Sequence, residues 1–193
     1  MSILTSSSGR STTLFENALP GASAPGSSMA APLGLMVDKA REESGMPRSL
    51  SRVLIHLVFS TKNREALIPA GMRPELHAYV AAVPGKVGCP SIRVGGIDDH
   101  VHVLYSLSRT LTLASVTEKV KTSSSKWMKQ RGVASFSWQA GYGAFSVCER
   151  DVRSVSQYIE HQEAHHAGVS FQDEMRHFFR RNQLEYDERY VWD

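Results

Sequence analysis

The sequence predicts an α+β fold of the ferredoxin-like type: an antiparallel sheet of about four or five strands covered by helices on one face, behind a disordered N-terminal extension. Three observations predict it. The hydrophobic period switches between 2 and 3.6 in the order β-α-β-β-α-β and then stays helical. The composition changes abruptly near Met46. A tight Asp98-Asp99 connection joins the second and third strands as a hairpin.

Residues 1–48, which include TSSSGRSTTLFENALPGASAPGSSMAAPLG, are rich in Ser, Gly, Ala and Pro and hold no sustained period. Such a segment buries too little apolar surface to offset its ordering entropy and is expected to be disordered. The run SLSRVLIHLVFSTKN then opens the domain expected over 49–193, and the Met46 codon is a candidate start. The elements expected in order are a strand over 52–60, a helix over 72–86, strands over 91–97 and 100–107, and a helix over 111–130. Two short strands flank SWQAGYGAFSV, where Gly141 and Gly143 suggest a bend or bulge. Helices over 150–166 and 171–182 and the tail EYDERYVWD complete the chain.

Composition bounds the function. A chain of 193 residues, 41% hydrophobic and 21% charged, holds one ordinary domain with a real core. The sequence contains no apolar run long enough to span a membrane and no secretory leader pattern, so a cytoplasmic protein is expected, held at the nucleoid if it binds DNA. Cys89 and Cys148 are far apart and in no CxxC pattern, which argues against a disulfide framework or a zinc knuckle. A net charge of +3 permits a nucleic-acid partner without requiring one.

Two constellations carry chemistry. In DDHVHVLYSL, His100 and His102 stand two apart on a strand, so both imidazoles leave the same face within reach of one ion. On the helix from Asp151, Val152, Val155 and Ile159 form the stripe that faces the sheet. Gln162 continues that stripe, with Tyr158 one turn earlier at its margin. A buried amide without partners costs about 1–3 kcal/mol, so Gln162 must face something polar. Each signal has a plainer reading alone: a lone His-x-His is usually structural, Tyr158 a core-edge phenol, Gln162 a surface amide. The triple-histidine motif of nucleotide hydrolases fails at Leu104, where its third histidine belongs, and the His-x-His of barrel amidohydrolases needs a far longer chain.

DHVH closing the hairpin, SSSKWMK on the following helix, FSWQAGYGAFSV and YIEHQEAHH resemble, in order and spacing, the single-tyrosine HUH transposases of the IS200/IS605 type, in the IS200-like and REP-associated branch. The resemblance runs from about Met46 to Asp193, with His161 standing where Asn is expected. It implies that Tyr158 is the nucleophile and that His100, His102 and Gln162 hold a divalent metal, Mg2+ or Mn2+. It implies a transposase, a metal-dependent single-stranded DNA endonuclease and strand transferase that works through a 5′-phosphotyrosine at hairpin-bearing DNA ends. It also implies a homodimer in which the Tyr158 helix can dock against the partner's histidine pair.

The helix from Leu111 sets Leu113, Val116, Val120 and Trp127 on one side and Lys119, Lys126 and Lys129 on the other. Those lysines, with Arg131 and the hydroxyls of Ser123 to Ser125, are candidate phosphate contacts. Trp138 is expected to pack, while Tyr142 could stack on a base. His56 is expected to pack or pair, and His161, His165 and His166 to form a solvated or phosphate-contacting face rather than a second metal site. Two other functions fit the same residues: a domesticated nuclease that cuts repeated palindromes, and a catalytically inactive nucleic-acid-binding module.

Overall fold

The computed structural model describes residues 50–189, 191 and 192, and the expected extension and its boundary at 48/49 lie outside them. The architecture is α+β. Strands β1 (Val53–Ser60), β2 (Ser91–Gly96), β3 (His100–Leu107) and β4 (Gly143–Val147) form one antiparallel sheet in the order β2-β3-β1-β4. Two helices connect strands, α1 (Arg73–Gly85) and α2 (Leu113–Gln130), and three follow the sheet: α3 (Val152–Glu160), α4 (Gln162–His166) and α5 (Phe171–Arg181). Of the two short strands expected around the glycine-containing loop, one is β4 and the other is a single bridge between Thr61 and Trp138.

The strand period divides the sheet into two unlike faces. Ile55, Leu57 and Phe59 of β1 and Val101, Val103 and Tyr105 of β3 point to the side covered by α1 and α2, where they join Leu76, Val80, Val116, Val120 and Met128 in the main core. Trp138 packs there edge-on against Phe59 and Phe136, as expected. The opposite side carries Val58 and Phe145, buried by Phe171, Met175 and Phe179 of α5. Helices therefore cover both faces rather than one, because the second face is itself apolar enough to need a cover.

Two local devices position the site. The hairpin end carrying His100 is tied to the rest of the sheet: the Thr61 N–H donates to the Asp99 carbonyl at 2.7 Å and the Ile68 N–H to the Asp98 carbonyl at 2.9 Å. At the neighbouring strand, α3 lies so close to β2 that a Cβ on Gly95 would fall 2.2 Å from the Ile159 carbonyl oxygen. Replacing Gly95 by Ala is expected to cost about 1–3 kcal/mol, as overpacking does. Urea unfolding checks this; an unchanged midpoint would mean that the close approach does not fix α3.

The helix expected over 150–166 is broken. A single 3-10 turn covers Glu149–Asp151, α3 ends at Glu160, and α4 restarts at Gln162. At the break, the His161 ring Nδ1 lies 2.7 Å from the Gln157 carbonyl oxygen, the acceptor that its own backbone N–H also uses. The backbone of His161 leaves the helical range there, at φ −99° and ψ 25°, which ends α3.

Candidate active site

His100 and His102 share the second face of β3, fully buried, with ring centroids 5.0 Å apart. Tyr158 reaches them from the last turn of α3, its ring 5.9 Å from that of His102, and Gln162, 1% exposed, joins from α4. The structure thus brings together the four residues singled out in the sequence. It adds two more. Glu174 of α5, 3% exposed, accepts a hydrogen bond from the Tyr158 hydroxyl and another, at 3.3 Å, from the Gln162 amide nitrogen. His166 of α4 places its Nε2 3.1 Å from the Gln162 amide oxygen and 3.4 Å from Glu174.

The partners of the outer ring nitrogens assign the tautomers. His100 Nδ1 lies 2.6 Å from the Asp99 carboxylate and His166 Nδ1 lies 2.7 Å from the Val169 carbonyl oxygen, so both Nδ1 atoms carry the proton. Their Nε2 lone pairs then face the Gln162 oxygen, each at 3.1 Å. Acceptors cannot satisfy one another; a cation between them does. His102 Nδ1 is engaged with His56 Nε2 at 3.0 Å, which leaves His102 Nε2 buried without a partner, as Glu174 Oε2 also is.

A divalent metal fits this arrangement. One ligand atom from each of His100, His102, His166 and Glu174 lies within 4.8 Å of the others, and the Gln162 oxygen adjoins them. The separations from Glu174 Oε2 to His102 and His166, 3.6 and 3.4 Å, are close to the roughly 3.0–3.5 Å edges of a shell of ligands about 2.1 Å from an ion. Each of the three imidazoles also has the outer partner typical of a metal-ligating histidine: a carboxylate, a carbonyl and a second ring.

Burial sets the protonation states. His102 is held well below the usual imidazole range, chiefly by desolvation and then by His100. Desolvation, reinforced by His102, lowers His56 to about 3. Burial pushes Glu174 up to about 7, against the opposing pull of His100 and His56. Away from the site, desolvation and Arg73 lower His77 to about 4.

These shifts predict acid lability of the metal-free protein. Below about pH 6.5 the unfolded chain protonates imidazoles that the fold keeps neutral, so stability is lost as pH falls toward 4. Glu174 acts oppositely, gaining its proton earlier in the fold than in the unfolded chain, but His56, His77 and His102 outweigh one carboxyl. Urea unfolding in EDTA should give a midpoint that drops steadily from pH 7 to 4.5; a midpoint that is flat or rises would contradict these assignments.

A sequence profile of the family described as "Transposase IS200 like" matches residues 49–162, a segment that holds His100, His102, Tyr158 and Gln162. The chain belongs to the IS200-like transposase family. Among solved structures, it is similar to a candidate transposase from Deinococcus radiodurans R1, at 20% identity and TM-score 0.47 over 60% of this chain and 94% of that one. It is also similar to a REP-associated tyrosine transposase bound to a REP hairpin, at 16% identity and TM-score 0.48 over 65% of this chain and 76% of that one. No curated protein matches the sequence.

The DNA-contact candidates of this IS200-like transposase are not gathered at the site. Lys119, Lys126 and Lys129 are exposed on α2, across the sheet from the histidines. Arg131 is exposed beside them but is engaged, paired with Glu75 at 2.7 Å and lying over the Trp127 ring. The serine hydroxyls are also taken. Ser124 is buried, accepts from the Trp138 indole N–H at 2.9 Å and donates to the Val120 carbonyl at 2.6 Å. Ser123 bonds to the Lys119 carbonyl and Ser125 to the Phe136 carbonyl. Tyr142 is 39% exposed, open enough to meet a base. The basic residue missed in the sequence is Lys121, whose ammonium donates to the carbonyls of Gln139, Ala140 and Gly141 at 2.6, 3.0 and 2.9 Å and so holds the loop before β4. No described helix is long and apolar enough to cross a membrane.

Proposed function

We propose that this protein is a metal-dependent single-stranded DNA endonuclease and strand transferase in which Tyr158 is the nucleophile. The observation that carries the reading is the junction of nucleophile and ligands: one carboxylate, Glu174, accepts the Tyr158 hydroxyl proton on one oxygen and turns the other, unpartnered, toward His102 and His166. The Tyr158 oxygen attacks phosphorus, its proton passing to Glu174, while the bond to the 3′-oxygen breaks and that oxygen takes a proton from solvent water, leaving a free 3′-hydroxyl and a 5′-phosphotyrosine. Because the phosphodiester energy is kept in that linkage, a second 3′-hydroxyl can reverse the step on another strand.

His100, His102 and Gln162 are the metal ligands in this reading, with Glu174 and His166 completing the set. The metal, when bound, supplies Lewis-acid polarisation of a non-bridging phosphate oxygen. A donor set with three imidazoles suits Mn2+ better than Mg2+, which prefers oxygen ligands. Asp99 and His56 orient two of the imidazoles.

We assign Lys119, Lys126 and Lys129 to phosphate contacts on the α2 face, where the duplex stem of a hairpin end would lie apart from the single strand at Tyr158. Replacing all three by Gln should reduce the slope of log affinity against log salt by about 0.9 per lost contact; an unchanged slope removes them from the binding surface. The domain proper is proposed to run over 49–193, so deletion of residues 1–45 should leave cleavage unchanged.

The deciding experiment is incubation with Mn2+ and single-stranded or fully duplex DNA bearing the same flanking sequence, with adducts resolved on a denaturing gel. Adducts on the single strand alone are expected. Adducts confined to the duplex would overturn the substrate class, and none on either would overturn the nuclease reading in favour of an inactive binding module.

A further inference from the structure

Beside the metal-ligand cluster, with which it shares Glu174, a cavity of about 520 Å3 opens between β4, α3 and α5. Part of its wall is a cluster of rings. Phe145 and Phe178 stack with centroids 5.0 Å apart, and His56 and Tyr158 meet Phe178 edge-on at 5.3 and 5.9 Å. The same cavity is lined by the carboxyl-bearing Asp151, Asp173 and Glu174, by His165 and His177, and by the exposed Arg181. Tyr158, Glu174 and His56 form one side of its wall, so the cavity opens directly onto the reacting groups, while the space toward Phe178 and Arg181 is left unused by the cleavage chemistry.

We propose that the cavity is a nucleobase subsite, which takes the base of the nucleotide immediately 3′ of the scissile phosphate; the inference rests on the proposed function above. Three arguments lead to it. The lining suits a flat ring, because an unpaired base finds aromatic faces and edges to stack on without any need for sequence-specific hydrogen bonds. Carboxyls outnumber the one guanidinium in the lining, and even with Asp173 paired to Arg176 at 3.0 Å this disfavours a phosphate inside, so the occupant is the base and the backbone passes at the exposed Arg181.

The geometry of displacement selects which base. In-line attack puts the leaving 3′-oxygen opposite the Tyr158 oxygen across phosphorus, so the departing nucleotide points away from the Tyr158 side. The nucleotide 3′ of the cut stays bonded to Tyr158 through its 5′-phosphate, and the cavity adjoining that ring lies within its reach. A base held there would also keep the covalent intermediate anchored until strand transfer.

The test uses the full chain and a single strand whose cut site has been mapped from the released 3′-hydroxyl end. Binding is measured in the non-cleaving Tyr158→Phe protein, with 2-aminopurine or an abasic unit placed either just 3′ or just 5′ of the cut. The 3′ 2-aminopurine should be quenched on binding and the 5′ one should not. The 3′ abasic unit should weaken binding about tenfold, the scale of one stacked base, and less than about twofold when Phe178→Leu is added and the stacking ring is gone. Equal quenching at both positions, or an abasic cost indifferent to Phe178, would overturn the subsite. The quenching needs no cavity variant and decides the matter even if Phe178→Leu fails to fold. Adducts that form with the 3′ position silent refute this inference alone; the absence of adducts on any single strand refutes the cleavage reading with it.

Discussion

Tyr158→Phe is expected to bind hairpin-bearing single strands as the parent protein does and to form no covalent adduct. The substitution removes only the phenolic oxygen, keeping the ring that contacts His56, His102 and Phe178. The hydrogen bond to Glu174 is lost with it, so stability should fall by about 1 kcal/mol, the usual worth of one such bond. Adduct formation should drop below detection, because among the described residues Tyr158 is the phenol whose ring lies against His102. Gel analysis of the adduct and anisotropy of a labelled hairpin separate the two effects. An adduct persisting in the Phe variant would sink the nucleophile assignment.

His102→Ala is expected to abolish cleavage by removing a metal ligand, and excess EDTA should do the same to the parent protein. Mn2+ binding, followed by electron paramagnetic resonance without DNA, should weaken by more than the roughly 10- to 100-fold typical of changes to groups behind the ligands. His56→Phe supplies that comparison: it keeps a ring against His102 but loses the 3.0 Å contact to Nδ1, and its effect should fall in the 10- to 100-fold range. Full cleavage in EDTA, or unaltered Mn2+ binding by His102→Ala, would remove the metal from the account. The two inactive proteins also bear on assembly. Tyr158 stands beside His102 of its own chain, so mixing Tyr158→Phe with His102→Ala recovers nothing if each site is completed within one chain. Recovered cleavage would instead support the homodimer with exchanged helices that the family resemblance implies.

Much of the site was legible because it lies where periodicity is informative. A His-x-His on a strand has one geometric meaning, and an amide on an apolar helical stripe must find a polar partner. Glu174 could have been found by the same reasoning: it sits among Phe171, Met175 and Phe178 at helical spacing, a carboxyl on an apolar stripe. It was missed because nothing local ties α5 to the histidine strand; only the folded sheet face brings them together. His166 was expected to be solvated, but the kink at His161 and the bond of Nδ1 to the Val169 carbonyl turn its other nitrogen inward. The contacts of the serines and of Arg131 were illegible for a related reason. Their polar atoms looked free along one helix face, yet Trp138 and Glu75, distant in sequence, had already engaged them.

The central claim, that Tyr158 becomes covalently joined to DNA in a metal-dependent step, is tested most directly by tandem mass spectrometry of the adduct. The parent protein is incubated with a hairpin-bearing single strand and Mn2+, digested with protease and nuclease, and the modified peptide is sequenced. The account predicts a 5′-linked nucleotide on Tyr158, absent when EDTA is present, together with a free 3′-hydroxyl on the released strand. A nucleotide on any other residue, or on Tyr158 at the same yield in EDTA, would contradict it.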